Sequence, residues 1–395
     1  MKRIAAVFEE NIFDRKGSFR AKLERVRHLL EQGDCSVDVW CIQVRYPWLV
    51  RLLLGKRYLD GVSEADLGRP KEILFEGIPY RMLWLDYSIL DHFLFFKLGM
   101  RPWFYPRFLK KKAALFQGYD ILSAHGFEGA FLARAVEDRY GIPYCVSWHG
   151  SDIHTKPFKY PCIRPLTAAL MAGARMNFFV SQALLERSEA VGPGNKLVLY
   201  NGCDGSFRRM SEADRSDLRR QLGLAADDRV VGFVGNLVPL KNADLLPDLF
   251  SRIQDLSDRP VRFWVIGEGR LSADIRQRMR VPCEFWGNLP PEQMPRMYNA
   301  MDLLMLPSRQ EGLGLVLLEA LQCGCKAVGS AVGGIPEVLD ASHLVAPGEG
   351  FVDRFARTVV AALSSGEIQV VPEAMSWDVT ARTEIGVYRQ IPSRE

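Results

Sequence analysis

Two carboxylates, Glu311 and Glu319, stand in the stretch Pro307 to Pro336, which reads PSRQEGLGLVLLEALQCGCKAVGSAVGGIP. The apolar run ending at Leu306 has the composition of a strand, Glu311-Gly312-Leu313-Gly314 that of a tight loop, and Leu315 to Leu321 that of a buried helix. A strand, a glycine turn and a helix start together make an anion cradle. The first N–H groups of a helix have no internal partner and sit at its positive end, and glycine lets a phosphate approach without a Cβ in the way. At about 1.5 Å of rise per residue, Glu319 sits on the order of 7 Å from the helix start, comparable to the span from a diphosphate to its ribose hydroxyls. The chemistry that fits this spacing is the holding of a nucleoside diphosphate. The same residues also fit an ordinary strand, loop and helix in which Glu319 is a solvated surface charge.

Other groups stand where a parallel sheet presents chemistry. Tyr119 to Ala124 reads as a strand ending at His125-Gly126, and Pro143 to Trp148 as a strand ending at His149-Gly150-Ser151-Asp152. In open α/β sheets ligands collect beyond the carboxyl ends of strands, which suits both histidines, although each also fits a turn or packing role. Further on, Arg229 to Phe233 leads into Gly235-Asn236, then Pro239-Leu240-Lys241-Asn242 and a helix from about Ala243. Strand, glycine, lysine and helix start again describe a phosphate site, with a plain surface lysine as the alternative.

Pro307-Ser308, the Glu311 and Glu319 pair, and Gly333-Gly334-Ile335-Pro336-Glu337 together resemble family 4 of the retaining glycosyltransferases, which have the GT-B fold. The resemblance is detailed from about His149 onward and topological before it. It implies an α/β protein of two facing Rossmann-like, doubly wound domains with an interdomain cleft. By position it implies that Glu311 and the amides of Gly312, Leu313 and Gly314 hold the donor sugar and that Glu319 binds the ribose. It further implies that His149 contacts the donor sugar, with Asp152 orienting it or meeting a hydroxyl, that Lys241 grips the diphosphate and that the backbone near Gly287 meets the base. Asn236 stands where the family has an arginine, so one cationic grip is replaced by a hydrogen-bonding amide. Lys16-Gly17-Ser18 occupies the place of a loop facing the donor phosphates or acceptor, with Gly17 single where the family has two adjacent glycines.

The activity implied is transfer of a hexose-type sugar from a nucleoside-diphosphate sugar, a co-substrate rather than a cofactor, to a hydroxyl of a glycan or lipid-linked acceptor. Configuration is retained, and no metal is expected because the chain has no Asp-x-Asp pair. Cell-surface polysaccharide synthesis is the family setting. A sugar-nucleotide epimerase of the same fold remains an alternative, as does a catalytically silent sugar-nucleotide-binding subunit, for which Asn236 is the motive.

The elements that must position these groups are those of two domains, since 395 residues exceed one ordinary core. Strand Ile4 to Phe8, a helix from about Phe19 to Glu31 and strand Ser36 to Val44 open a parallel doubly wound sheet. Asn201-Gly202-Cys203-Asp204 is a turn that, in the resembled family, marks the crossing between domains. We therefore expect an acceptor domain over 1–195, a donor domain over 196–375 and a terminal helix over 376–395 that crosses back onto the first.

From Tyr46 to Ala113 the pattern loosens and turns aromatic and basic: Tyr46-Pro47-Trp48, Arg51, Lys56-Arg57, Phe93, Phe95-Phe96, Trp103-Phe104-Tyr105, Arg107 and Lys110-Lys111-Lys112. Such a mixture fits an anionic membrane surface, or a core helix layer under a solvated lysine cap. Single-stranded nucleic acid could use the same side chains, but no recognition motif accompanies them, and no nucleic-acid partner is expected. The net charge of +4 is uneven, about +8 over residues 1–200 and about −4 beyond, which favours an anionic partner for the first half or reflects drift in surface composition. Eight scattered cysteines without metal-ligand spacing fit a reducing compartment. Met1-Lys2-Arg3 followed by a short apolar run reads as a strand rather than a signal peptide, and no apolar run reaches the roughly 18 residues a membrane span requires. The expected location is cytoplasmic, at or near the inner face of the membrane.

Overall fold

The computed structural model of the protein describes residues 1–9, 17–45, 70–86, 88–98, 100 and 103–392. The chain divides into two units, Met1–Asn201 with Trp377–Glu395, and Gly202–Ser376.

The first unit contains β1 (Lys2–Glu9), β2 (Cys35–Arg45), β3 (Glu72–Phe75), β4 (Ile78–Asp86), β5 (Ile121–His125), β6 (Tyr144–Trp148), β7 (Met176–Phe179) and β8 (Lys196–Val198). They lie in the order β3-β4-β2-β1-β5-β6-β7-β8, and every pair is parallel except the β3–β4 hairpin. Every residue of β5 and β6 is buried, the condition of central parallel strands covered on both faces. The helices Gly17–Glu31 and Gly126–Tyr140 follow β1 and β5 directly in the order of elements.

The terminal helix Trp377–Gln390 belongs to this unit and packs on Gly17–Glu31. Between them Arg25 Nε donates to Glu384 Oε2 at 2.6 Å, with side chains only 2% and 0% exposed. Tyr388 hydrogen-bonds the same carboxylate, and Thr380 Oγ1 donates to the carbonyl of Tyr200 at 2.6 Å. A charge pair this deep is stable only as a pair, because either member left alone would be an uncompensated buried ion.

Three strands escaped the sequence reading, β3 and β4 here and one in the second unit. β4 pairs with β2 from Val39↔Tyr80 to Arg45↔Asp86, inside the stretch read as loosely patterned. Pro79 stands within β4 although proline cannot donate a ladder hydrogen bond. It is accommodated beside the hairpin turn, opposite Leu74 and one residue before the pairing with β2 begins. Part of the aromatic and basic region, including Tyr46 to Trp48, Arg51 and Lys56-Arg57, lies outside the described residues. The domain boundary also moves: β8 pairs with β7, so the first unit runs to Asn201 rather than 195.

The second unit is a single parallel sheet of β9 (Arg229–Val234), β10 (Val261–Ile266), β11 (Cys283–Gly287), β12 (Leu303–Leu306), β13 (Lys326–Ser330) and β14 (Leu344–Val345). Their order is β11-β10-β9-β12-β13-β14, or 3-2-1-4-5-6 when counted within the unit, which is the doubly wound dinucleotide-fold order. Its core joins Phe233, Phe263, Leu303, Met305 and Val328 to Phe250 and Ile253 of helix Leu246–Leu256 and Phe355 of helix Phe351–Ser364. β13 is the third strand missed. The helix stops at Gln322, Gly324 adopts a left-handed φ of +78°, and the strand starts at Lys326.

Candidate functional site

In a 3-2-1-4-5-6 sheet the chain leaves the first and fourth strands toward opposite faces, opening a crevice beyond their carboxyl ends. In the second unit these are β9 and β12, which pair directly. The segment after β9 carries Asn236 and Lys241, and the segment after β12 carries Glu311 and the glycine loop. Topology alone thus brings Lys241 and Glu311 to one place, and their side chains form a close ion pair across a separation of 70 residues.

Several contacts hold this arrangement. Asn242, itself in a left-handed turn, donates from Nδ2 to the Pro307 carbonyl at 2.7 Å, and the Arg309 amide donates to the Leu240 carbonyl at 2.9 Å. Ser308 Oγ lies 3.4 Å from Glu311 Oε2 as a donor. Behind the loop, Gly333 comes so near that a Cβ there would lie 2.0 Å from the Glu311 carbonyl oxygen, so the backbone at 311 rests against a residue that must be glycine. Gly314, at φ +89°, caps the helix Leu315–Gln322 in a conformation that a side chain would strain. The amides of Gly312, Leu313 and Gly314 donate to no other backbone group among the described residues. Those N–H groups and the Lys241 ammonium are donors of the kind that can meet an anion, with Glu311 paired to the lysine.

Glu319 is on the helix itself, in its second turn. Its Oε2 accepts a 2.8 Å hydrogen bond from the phenol of Tyr298, which is completely buried in the preceding helix Met294–Ala300. Burial first, then the charge of Glu319, raises the Tyr298 phenol well above its ordinary value, so it acts as a neutral donor. Nothing in the sequence marks Tyr298. Asn236 is exposed just after β9, and Gly287 ends β11, two strands away from β9.

The first unit repeats the 3-2-1-4 core of the order with different chemistry at its carboxyl edge. His125 ends β5 and His149 follows β6, and His125 Nδ1 lies 3.1 Å from His149 Nε2 with the rings nearly parallel at 13°. Phe8 of β1 meets His125 edge-on, with ring centroids 4.6 Å apart. Burial, followed by nearby positive charge from Arg25 and Lys22, pushes both histidines well below the ordinary imidazole value. Both are therefore neutral at pH 7, one nitrogen donating and the other accepting.

Asp152 makes no hydrogen bond to His149 among the described residues. It pairs with Lys156 at 3.0 Å, and Glu128 lies 3.8 Å from the same ammonium. Burial opposes the charge on Lys156, but Glu128, Asp152 and Glu9 outweigh it and raise its pKa. Burial and the Glu128 charge push the Glu9 carboxyl well up. Gly17 starts the helix Gly17–Glu31, while Lys16 lies outside the described residues.

Residues 22–202 match the family described as glycosyl transferase 4-like domain, and residues 228–365 match glycosyl transferases group 1. A D-inositol 3-phosphate glycosyltransferase of Actinosynnema mirum is 32% identical over 315 residues, covering 69% of this chain and 72% of that protein. A second protein of that name, from Segniliparus rotundus, is 30% identical over 54% of this chain and 51% of its own length. The putative teichuronic acid biosynthesis glycosyltransferase TuaC of Bacillus subtilis is 28% identical over 55% and 54%. The matched segment thus spans about half the length of these last two relatives.

Among solved structures, Anabaena HepE in complex with UDP and glucose superposes with a TM-score of 0.68 at 17% identity, covering 99% of this chain and 98% of that one. Sucrose-phosphate synthase of Thermosynechococcus elongatus gives 0.73 at 16% identity, with 99% of each chain covered. At such identities the likeness is one of fold, and the fold is GT-B, built of two Rossmann-like units. Both halves of the sequence and a relative matched over most of its length agree, and the chain belongs to the group 1, or family 4-type, glycosyltransferases.

Proposed function

We propose that the protein is a retaining, metal-independent glycosyltransferase that moves a hexose-type sugar from a nucleoside-diphosphate sugar to a hydroxyl of a glycan or lipid-linked acceptor. The observation that carries this reading is the meeting of Lys241, Glu311 and the unpaired Gly312 to Gly314 amides at the β9–β12 crevice. As the bond from the anomeric carbon to the diphosphate breaks, negative charge grows on the leaving oxygen and positive charge on the sugar. A site stabilises that transition state by placing fixed donors where the negative charge develops. Lys241 and the loop amides supply those donors without a metal ion. Glu311 meets the hydroxyls of the donor sugar, and Glu319 accepts from the ribose. The acceptor oxygen bonds to the anomeric carbon on the face the diphosphate leaves, and its proton passes to the departing phosphate. His149, neutral and held by His125, donates to or accepts from the sugar.

Relatives named for an inositol phosphate and for teichuronic acid support a polyol or glycan acceptor and a role in cell-envelope polysaccharide synthesis. The acceptor side also carries a candidate membrane face. Phe93, Trp103 and Phe104 are exposed, Arg107 lies 3.9 Å over the Trp103 ring, and Lys110 to Lys112 close the helix Phe104–Lys112. Aromatic side chains beside ammonium groups suit the headgroup layer of an anionic bilayer at the cytoplasmic side. Among the described residues no helix is long and apolar enough to cross a membrane.

Incubation with a panel of nucleoside-diphosphate sugars tests the reaction. Transfer predicts slow donor hydrolysis, accelerated nucleotide release with acceptor, and α-to-α or β-to-β products by NMR. Interconverted donor sugar without release contradicts it in favour of an epimerase, and tight binding without turnover favours a silent subunit. Sedimentation with phosphatidylglycerol vesicles at low salt tests the membrane face, which is refuted if the protein stays in the supernatant.

A further inference from the structure

We propose that Tyr298 is the positioning residue that makes the nucleotide site select ribose. The proposal rests on the reading of Glu319 as the ribose-binding carboxylate, and it goes beyond that reading by naming what holds the carboxylate. Tyr298 comes from the helix that precedes β12, and its hydroxyl reaches across 21 positions to donate to Glu319 Oε2 at 2.8 Å. The ring is 0% exposed and packs against Phe207 with centroids 5.9 Å apart, so the phenol cannot swing away.

A glutamate in the second turn of a helix has three rotatable bonds. Left to itself it samples several orientations, each with its lone pairs aimed differently. One hydrogen bond from a rigid donor selects an orientation before ligand arrives, and a vicinal diol is recognised only by an acceptor already aimed at it. Hydrogen bonds to a charged group are also among the stronger ones, so the phenol's loss is felt. Tyr298 touches no reacting atom in this scheme, and its effect falls on nucleotide affinity and on discrimination between sugars.

The test compares UDP, GDP and ADP with their 2′,3′-dideoxy counterparts by calorimetric titration on the full chain, in wild type, Tyr298→Phe and Glu319→Gln. Tyr298→Phe keeps the ring that meets Phe207, and binding of the dideoxy nucleotide reports that the variant is folded. The expected result is ribonucleotide affinity about ten-fold weaker in Tyr298→Phe with the dideoxy affinity changed by less than about two-fold. With donor sugar, KM should rise by about the same factor at constant kcat, the mark of lost ground-state binding. In the Glu319→Gln background, Tyr298→Phe should have no further effect.

If Glu319→Gln abolishes the preference for ribose while Tyr298→Phe leaves it intact, the role of Tyr298 is overturned and that of Glu319 stands. If Tyr298→Phe weakens both nucleotides equally, its role is general packing and the proposal fails. If Glu319→Gln changes neither affinity, the underlying reading of Glu319 fails and the proposal with it.

Discussion

The carboxyl edges of the two sheets share a strand pattern and differ in charge. In the first unit, β1 and β5 open onto a pair of histidines held neutral by burial and by neighbouring cations. In the second, β9 and β12 open onto a lysine, a glutamate and backbone amides that have no backbone partner among the described residues. The fold supplies a crevice in both places, and the residues on the loops decide what it can hold. A neutral hydrogen-bonding pair suits hydroxyls, while an ammonium with unpaired amides suits a diphosphate.

The sharpest way to break this comparison is to remove the charge from the second edge. Lys241→Ala should lower kcat/KM by about 10³-fold, the usual cost of losing one donor to a developing negative charge. His149→Asn, which removes a neutral contact, should cost only about ten-fold. Steady-state rates of nucleotide release measure both, and equal losses would remove the distinction.

A second difference concerns stability. Among the described residues only the first unit leans on a fully buried ion pair tying its terminal helix, so Glu384→Ala should destabilise it by about 3 kcal/mol or more, read by chemical denaturation. A loss no greater than that of an exposed pair would show that the helix is held by packing alone.

The histidine pair offers a pH test. Both folded-state values lie below the ordinary 6.5 of an unfolded histidine, so the unfolded chain takes up protons first as pH falls. The stabilisation is full above about pH 6.5 and is lost as pH drops from there toward the folded values, at up to about 1.4 kcal/mol per pH unit for each histidine. Denaturation midpoints between pH 7 and 5 should flatten when His125 and His149 are replaced by asparagine. An unchanged slope would mean that the pair is not held neutral.

The smallest expected effect is also the most specific. Because Glu311 neutralises Lys241 before ligand binds, Glu311→Gln should tighten binding of a sugar-free nucleoside diphosphate by about five-fold while transfer falls. Weaker diphosphate binding in that variant would mean the ion pair helps to shape the site rather than compete for it.

The strand, glycine loop and helix at 303–322 were legible because each carries its own local signal: an unbroken apolar run, then Gly312 and Gly314, then a leucine-rich helix. β3, β4 and β13 were not, since the short Glu72–Phe75 run, Pro79 and the short Lys326–Ser330 run look locally like loop and become strands only through their pairing with neighbours. Residue types at the site could be read from motif positions, but their partners could not. His149 meets His125 from 24 positions away and Tyr298 meets Glu319 across two helices, contacts created by sheet order rather than by spacing. Asp152 illustrates the reverse: three residues after His149 in sequence, it pairs instead with Lys156 four residues on.

The central claim is that the crevice between β9 and β12 holds a diphosphate through Lys241 and the loop amides. Calorimetric titration of wild type and Lys241→Ala with a nucleoside diphosphate and the matching monophosphate tests it most directly. The account predicts that wild type prefers the diphosphate by at least about ten-fold and that the substitution erases the preference while leaving monophosphate affinity nearly unchanged. Equal affinity for the two nucleotides in wild type, or a preference that survives the loss of Lys241, would contradict it.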